Sequence, residues 1–156
     1  MNTQLKNVLV ETEGRYPSAS ELENVKKWAL AMPDRIEVAQ RLAEKEEDVM
    51  TNAISALGAK HPEFGQAAQY PQERFHADLR RHLRYVAQSQ VLDDPTYFAE
   101  QYAEWTAEML CAVESPEVLT EAFEILTEAV KGALDAADFR ALEPFFFQFD
   151  RCLHEA

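Results

Sequence analysis

Residues 73–86 read ERFHADLRRHLRYV. This stretch follows Pro71, and because proline is accommodated in the first turn of a helix, we expect Pro71 to open one here. Positive charge gathers on this helix in a chain that is otherwise acidic, from Arg74, Arg80, Arg81 and Arg84. The contrast indicates either an electrostatic seam for an acidic partner, such as a second copy of the chain, or a solvated helix face.

The composition excludes several classes of partner. The 156 residues include 28 acidic and 15 basic side chains, for a formal charge of -13, so the average field repels phosphate backbones and anionic lipid. We therefore expect neither nucleic acid nor a membrane as partner. No apolar run is long enough to span a bilayer and no signal peptide is evident, so a cytoplasmic protein is expected. Only four Gly and seven Pro occur, which favours an all-α protein.

The first 32 residues are predicted to form a helical hairpin. A short helix over about residues 2–13 ends at Gly14, and its apolar face must pack on another surface, which we expect to be a second chain. The second helix begins with a capping box formed by Ser18 and Glu21. It ends near Ala31, because Pro33 is tolerated only in the first turn of the next helix. Its predicted apolar stripe comprises Leu22, Val25, Trp28, Ala29 and Met32.

Capping signals divide the rest of the chain into about six helices. The polar run 44–48 is either a solvated stretch or a bend between two helices. Asp94-Pro95 and Ser115-Pro116 mark two helix starts, and residues 135–138 begin the last helix. The apolar positions predicted to line the helix after Pro95 are Tyr97, Phe98, Tyr102, Trp105, Met109 and Leu110. In the last helix, the run 145–147 is all phenylalanine, so at least one ring must face outward.

The predicted fold is therefore all-α, with one domain over residues 1–156. Residues 1–32 form the hairpin, and residues 33–156 form a globin-like core in which every segment carries an apolar stripe.

The order of these signals resembles the phycobilisome protein family over nearly the whole chain. Residues 13–22, EGRYPSASEL, look like the start of the family's second helix, and residues 78–86 resemble its central pigment-bearing helix. Ser115-Pro116 and the aromatic run 145–147 resemble its last two helices. The resemblance implies a globin-like (phycocyanin-like) domain with an added N-terminal hairpin.

The resemblance also implies a docking surface. In that family the hairpin meets a second globin unit, and an acidic residue on it pairs with an arginine of the partner's central helix. The matching residues here are Glu11 and Arg84, with Arg15 and Tyr16 alongside. A carboxylate and a guanidinium can fix the register between helices. The alternative is that Glu11 and Arg84 are ordinary solvated charges.

The residues of the family's pigment site are mostly replaced in this sequence. Phe75 stands where the family has its chromophore cysteine, and Ala77 replaces the basic residue that holds a propionate. Asp78 alone matches, as a possible contact to pyrrole nitrogens. Neither Cys111 nor Cys152 lies at an expected attachment position, and both are expected to be reduced thiols.

The remaining residue patterns indicate neither catalysis nor metal binding. His76 and His82 lie about 240° apart around a helix, so they cannot share a metal. We expect both to be exposed or capping, although an axial role in a haem pocket stays open. No nucleophile elbow, phosphate loop or zinc spacing occurs, so no enzyme is expected.

The functional prediction is a pigment-free phycobilisome-family protein that acts through protein–protein interaction, as a scaffold, assembly factor or regulator. It dimerises through its hairpin with its own copy or with a related globin-like subunit, and no cofactor is expected. The alternative is a sensor or carrier that holds bilin, haem or another small molecule without a covalent bond. A sensor globin unrelated to phycobilisomes is a third possibility.

Overall fold

The computed structural model describes residues 2–62, 71–112 and 116–156. Every element of regular structure in those ranges is helical, which confirms the predicted all-α class. The elements in chain order are α1 (Thr3–Glu11), α2 (Ala19–Leu30), α3 (Met32–Lys60), α4 (Gln72–Leu92), α5 (Pro95–Phe98), a π-helical turn (Ala99–Ala103), α6 (Glu104–Cys111), α7 (Pro116–Ala133) and α8 (Ala136–Glu155).

The N-terminal hairpin begins and ends where the capping residues predict. Gly14 has a φ of +86°, a conformation that side chains disfavour, and it reverses the chain after α1. The Ser18 hydroxyl accepts a hydrogen bond from the Glu21 amide, and the Glu21 carboxylate accepts one from the Ser18 amide, so the capping box is complete. Helix α2 then ends at its cap, Ala31, and Pro33 lies in the first turn of α3.

Helix α2 contributes no side chain to the buried core. None of its twelve residues, all of them described by the structure, is buried. The apolar stripe that begins at Leu22 therefore exists as a sequence pattern but does not enter the core.

Helix α3 is continuous over 29 residues, so the polar run 44–48 is not a bend. Its inner face carries Val38, Leu42, Val49, Met50, Ala53 and Leu57. This face packs on α4 and α7, which in turn contact α8. The four helices together enclose the core.

The turn between α4 and α5 is set by two aspartates. Asp93 ends α4 in the left-handed conformation, with a φ of 52°. Asp94 then caps α5, because its Oδ1 accepts a hydrogen bond from the Tyr97 amide at 2.9 Å. The predicted cap at Ser115 lies outside the described residues, although α7 does begin at Pro116.

The prediction was wrong for two side chains after Pro95. Phe98, Tyr102 and Leu110 are buried as expected, whereas Trp105 is 63% exposed and Met109 is 44% exposed. The cause is the π-helical turn at residues 99–103, because each π turn adds a residue relative to α-helical spacing. The shift brings Thr106 and Ala107 inward in place of Trp105 and Met109.

Helix α8 supplies half of the phenylalanine and tyrosine side chains that are buried among the described residues. The run 145–147 divides as predicted, with Phe145 and Phe146 buried and Phe147 69% exposed. Fully burying a side chain of this size contributes about 1.5–3 kcal/mol, so α8 is a principal source of stability. The described helices include none that is both long and apolar enough to cross a membrane.

Candidate functional site

The phenyl ring of Phe75 occupies the core rather than an open groove. Phe75 lies in the first turns of α4, is 0% exposed and meets the ring of Phe123 edge-on at 6.3 Å between centroids. Both cysteines of the chain lie on other helices, Cys111 in α6 and Cys152 in α8, and both are free thiols. Burial raises the pKa of each thiol, so neither is activated as a nucleophile.

Asp78, the predicted tetrapyrrole contact, already has an internal partner. Its Oδ1 accepts a hydrogen bond from Nη1 of Arg81 at 2.5 Å, and only 13% of its side chain is exposed. Because Arg81 lies one turn further along α4, this ion pair forms across one helix face.

The arginines of α4 are neutralised largely by their own chain. Glu46 of α3 accepts two hydrogen bonds from Arg84, at 2.8 and 3.1 Å, and Glu47 accepts two from Arg80, at 2.5 and 3.0 Å. The guanidinium of Arg84 lowers the pKa of the Glu46 carboxyl, and that of Arg80 lowers the pKa of the Glu47 carboxyl. The acidic run of α3 and the basic run of α4 therefore form an internal seam between two helices.

The sequence interpretation considered those two charged runs separately and missed their pairing. A complementary signal was available, since consecutive helices carried an acidic run and a basic run. The pairing of Glu11 with Arg84 of another subunit stays a prediction, and Arg84 would have to share its guanidinium between Glu46 and Glu11.

The tip of the hairpin carries the other predicted interface residues. Arg15 donates to both carboxylate oxygens of Glu21, at 2.7 and 3.0 Å, and to the carbonyl of Tyr16 at 3.1 Å. These contacts from Arg15, followed by those from Ser18, lower the pKa of Glu21 to about 2. The side chain of Tyr16 is left 95% exposed, and Glu11 is exposed as well. At the tip, therefore, Arg15 bonds within its own chain while the Tyr16 ring stays open to solvent.

A small cluster of hydrogen bonds, which we call the clasp, attaches the hairpin to the turn at residues 92–94. Asn2 is buried and donates to the carbonyls of Leu92 and Asp93 at 2.8 and 2.7 Å. The Thr3 amide donates to Oδ2 of Asp94 at 2.5 Å, and Trp28 Nε1 donates to the Leu92 carbonyl at 3.0 Å. One end of α1 is thus held by its own chain, which the prediction of packing on a second chain did not include.

The prediction that His82 is exposed or caps a helix was wrong. Its side chain is 1% exposed, and its ring lies 4.4 Å from Phe149 and 5.0 Å from Phe123 between centroids. Burial alone lowers the pKa of His82 to about 3, so the imidazole is neutral at physiological pH. Its Nδ1 has no hydrogen-bond partner within the described parts of the chain.

Next to His82 lies a cleft between α7 and α8 with a volume of about 430 Å³. His82 and several phenylalanine rings line its inner part, and charged side chains line its mouth. From the sequence, core packing was the favoured role of the aromatic side chains and a cofactor cavity was the alternative; the structure shows buried rings with a cleft beside them. Across residues 2–62, 71–112 and 116–156, no group of three or more His, Cys, Asp or Glu side chains is placed to hold a metal ion.

Comparison with known proteins agrees with this architecture. Residues 8–152 match the sequence profile described as "Phycobilisome protein". The chain is similar to the allophycocyanin subunit alpha-B of a Picosynechococcus species, with 29% identity over 142 residues that cover 87% of this chain and 88% of the relative. It is also similar to the subunit of the same name from a Synechocystis species, with 28% identity over 140 residues that cover 85% and 86% of the two chains.

Proposed function

The chain belongs to the phycobilisome protein family, and on that premise we propose that it acts by docking to other proteins and carries no covalently attached pigment. Its role is that of a scaffold, assembly factor or regulator, and the hairpin of α1 and α2 is its docking surface. The absence of a thiol at position 75 supports the pigment-free part, because a phenyl ring cannot form a thioether to a bilin. The buried setting of Phe75 also leaves its ring inaccessible to a pigment.

The observation that carries the docking proposal is the exposed apolar surface of the hairpin region. Among the described residues, eight large hydrophobic side chains are exposed, and five of them lie within the first 36 residues, namely Val10, Tyr16, Leu22, Leu30 and Ile36. Single exposed apolar residues are ordinary, whereas a concentration of them is typical of an interface. This concentration favours a protein partner for the hairpin.

The clasp supports the same proposal. A docking surface loses less conformational entropy on binding when it is ordered beforehand. Asn2 and Trp28 fix α1 and α2 to the end of α4, and the guanidinium of Arg35 donates to the Trp28 carbonyl at 2.7 Å. The hairpin is therefore ordered before a partner binds, although none of the residues of α2 is buried.

The proposed partner is a second copy of the chain or a related globin-like subunit. The relatives are named as subunits, which favours a partner of the same family. The formal charge of -13 continues to argue against nucleic acid.

The test replaces exposed apolar residues without touching the core. Leu22→Asp with Leu30→Asp should weaken self-association at least about tenfold, because each change places a charge in the apolar contact. Association is measured by sedimentation velocity, and circular dichroism checks the fold. The matched control is Trp105→Asp, which also replaces an exposed apolar side chain but lies far along the chain on α6. Equal association of all three proteins would refute docking through the hairpin.

A second candidate function, the non-covalent carrier, is favoured by the cleft between α7 and α8. Its volume lies within the range of small-molecule sites, about 300–1,000 Å³. His82 and the phenylalanine rings give it an uncharged inner wall. Docking and carrying use different surfaces, so the two functions are testable separately.

A further inference from the structure

The inner part of the α7–α8 cleft is aromatic. Phe123 comes from α7, while Phe139, Phe146 and Phe149 come from α8, and His82 of α4 adjoins them. The rings of Phe123 and Phe149 lie 4.6 Å apart, and those of Phe139 and Phe146 are stacked at 6.4 Å. Aromatic rings pack well against a flat apolar group and present their negative faces to a cation.

The mouth of the cleft is strongly acidic. Glu124, Glu128, Glu143 and Asp150 line it, and Lys131 is the only basic residue among the lining side chains that the structure describes. Lys131 is itself held by Glu128, with 3.3 Å between Nζ and Oε1. The mouth therefore carries a net negative charge even after this internal pair is discounted.

Lys131 also indicates what the aromatic wall accepts. Its ammonium lies 5.9 Å from the centroid of the Phe139 ring, within the distance at which a cation is attracted to a ring face. A positively charged group thus already stands at the border between the aromatic wall and the acidic mouth.

We propose that this cleft binds a small amphiphilic organic cation, with an apolar or aromatic body against the rings and an amine or related group at the acidic mouth. The proposal rests on the carrier function given above and is independent of docking through the hairpin. It also selects against tetrapyrroles at this site, because their propionates would meet Glu124, Glu143 and Asp150. The buried, neutral ring of His82 adds a further flat surface to the inner wall of the cleft.

Two dyes of comparable size and opposite charge test the proposal. Thioflavin T is a flat aromatic cation, and 8-anilinonaphthalene-1-sulfonate is an aromatic anion. Fluorescence titration of the full chain should show saturable binding of thioflavin T at one site, with affinity at least about tenfold higher than that of the anion. Added salt should weaken thioflavin T binding, because part of the attraction comes from the exposed carboxylates.

Charge reversal at the mouth supplies the decisive comparison. Glu124→Lys with Glu143→Lys changes two exposed side chains and should weaken thioflavin T binding about tenfold or more, while strengthening binding of the anion. The control, Glu44→Lys with Glu100→Lys, makes the same change in net charge at exposed sites on α3 and the π-helical turn. It should leave thioflavin T binding within about twofold of the parent, since these charges do not line the cleft.

Filling the cleft gives a second, uncharged test. Thr127 lines the cleft and is only partly buried, so Thr127→Trp should block it and abolish saturable binding of thioflavin T. Lack of saturable binding of either dye to the parent would refute the carrier function and this proposal together. Binding of both dyes with equal affinity, or an equal effect of the two double variants, would refute the cation preference alone.

Discussion

Replacing His82 by leucine should remove much of the acid sensitivity of folding between pH 7 and pH 5. The His82 imidazole has a pKa of about 3 in the folded chain, against 6.5 for a free histidine. Below pH 6.5 the unfolded chain therefore binds a proton that the folded chain excludes. Since the unfolded state then binds more protons, the free energy of unfolding falls as the pH falls.

The magnitude follows from the two pKa values. Each pH unit between 6.5 and about 3 costs about 1.4 kcal/mol once the free histidine is fully protonated. Integrated from pH 7 to pH 5, the loss attributable to His82 is about 2 kcal/mol. The His82→Leu variant lacks this contribution. It also removes an unpartnered buried nitrogen, worth about 1–3 kcal/mol, so it should be at least as stable as the parent at pH 7.

Between pH 7 and pH 5, the contribution of His82 to the free energy of unfolding can be separated from those of the paired carboxylates. Partners lower the pKa values of Glu46, Glu47 and Glu121 in the folded chain. Their stabilising contributions are complete above the unfolded pKa of 4.5 and are lost as the pH falls below it. Between pH 7 and pH 5 they change little.

Urea unfolding followed by circular dichroism at pH 7, 6 and 5 measures the effect, at one fixed protein concentration because association also stabilises. His154→Gln is the control. His154 is exposed, and its hydrogen bond to the Asp150 carbonyl raises its pKa, so its contribution is present at low pH and is lost as the pH rises. The control should keep the acid sensitivity of the parent or increase it. If His82→Leu loses as much stability as the parent between pH 7 and pH 5, His82 is not a buried neutral imidazole.

Three further predictions concern the interface, the pigment and the clasp. Arg84→Glu should weaken self-association at least about tenfold, or about 1.4 kcal/mol. Partial recovery on adding Glu11→Arg, seen by analytical ultracentrifugation, would show that the two side chains are coupled, and unchanged association of both single variants would show that they do not pair across an interface. Neither the parent nor Phe75→Cys should attach bilin efficiently when the pigment and its lyases are co-expressed, because residue 75 is buried and Ala77 leaves a propionate unpaired; a bright zinc-fluorescent band at the mass of the denatured chain would contradict this. Asp94→Ala removes the acceptor of both the Thr3 and the Tyr97 amides. It should therefore lower the free energy of unfolding by about 1–2 kcal/mol and increase proteolysis within the hairpin. Unchanged resistance of the hairpin to proteolysis would mean that the clasp does not hold α1.

Helix boundaries could be predicted where a proline or a capping residue fits only one position of a helix. The capping box at Ser18, the prolines at positions 33 and 71 and the cap at Asp94 all lie where the sequence indicated. These signals are local, because each depends on hydrogen bonds or steric clashes within four residues. The all-α class followed from them together with composition.

The register after Phe98 could not be predicted in the same way. Apolar spacing assumes 3.6 residues per turn, and the π-helical turn violates that assumption at residues 99–103 without a proline or glycine to announce it. The exposed positions of Trp105 and Met109 are the direct result.

Contacts between helices were also beyond the sequence. The burial of His82 depends on rings contributed by α7 and α8, and a lone histidine among arginines gives no sign of them. The bidentate pair of Arg41 with Asp138 joins α3 to α8 across 97 positions of sequence. Such pairs are set by tertiary packing, so the cleft and its charged mouth became evident only in three dimensions.

A small rotation of the hairpin at the clasp moves the far end of α2 by a larger distance. Three consecutive residues at the end of α4 receive the hydrogen bonds of α1 and α2, while α2 extends for twelve residues, or about 18 Å. Trp28 attaches α2 near its C-terminal end, so a tilt of about 10° at the clasp would displace Ala19, at the other end, by about 2 Å, or about half the distance between two side chains in contact. Substitutions at the clasp can therefore change which partner fits the hairpin without altering any residue that touches that partner.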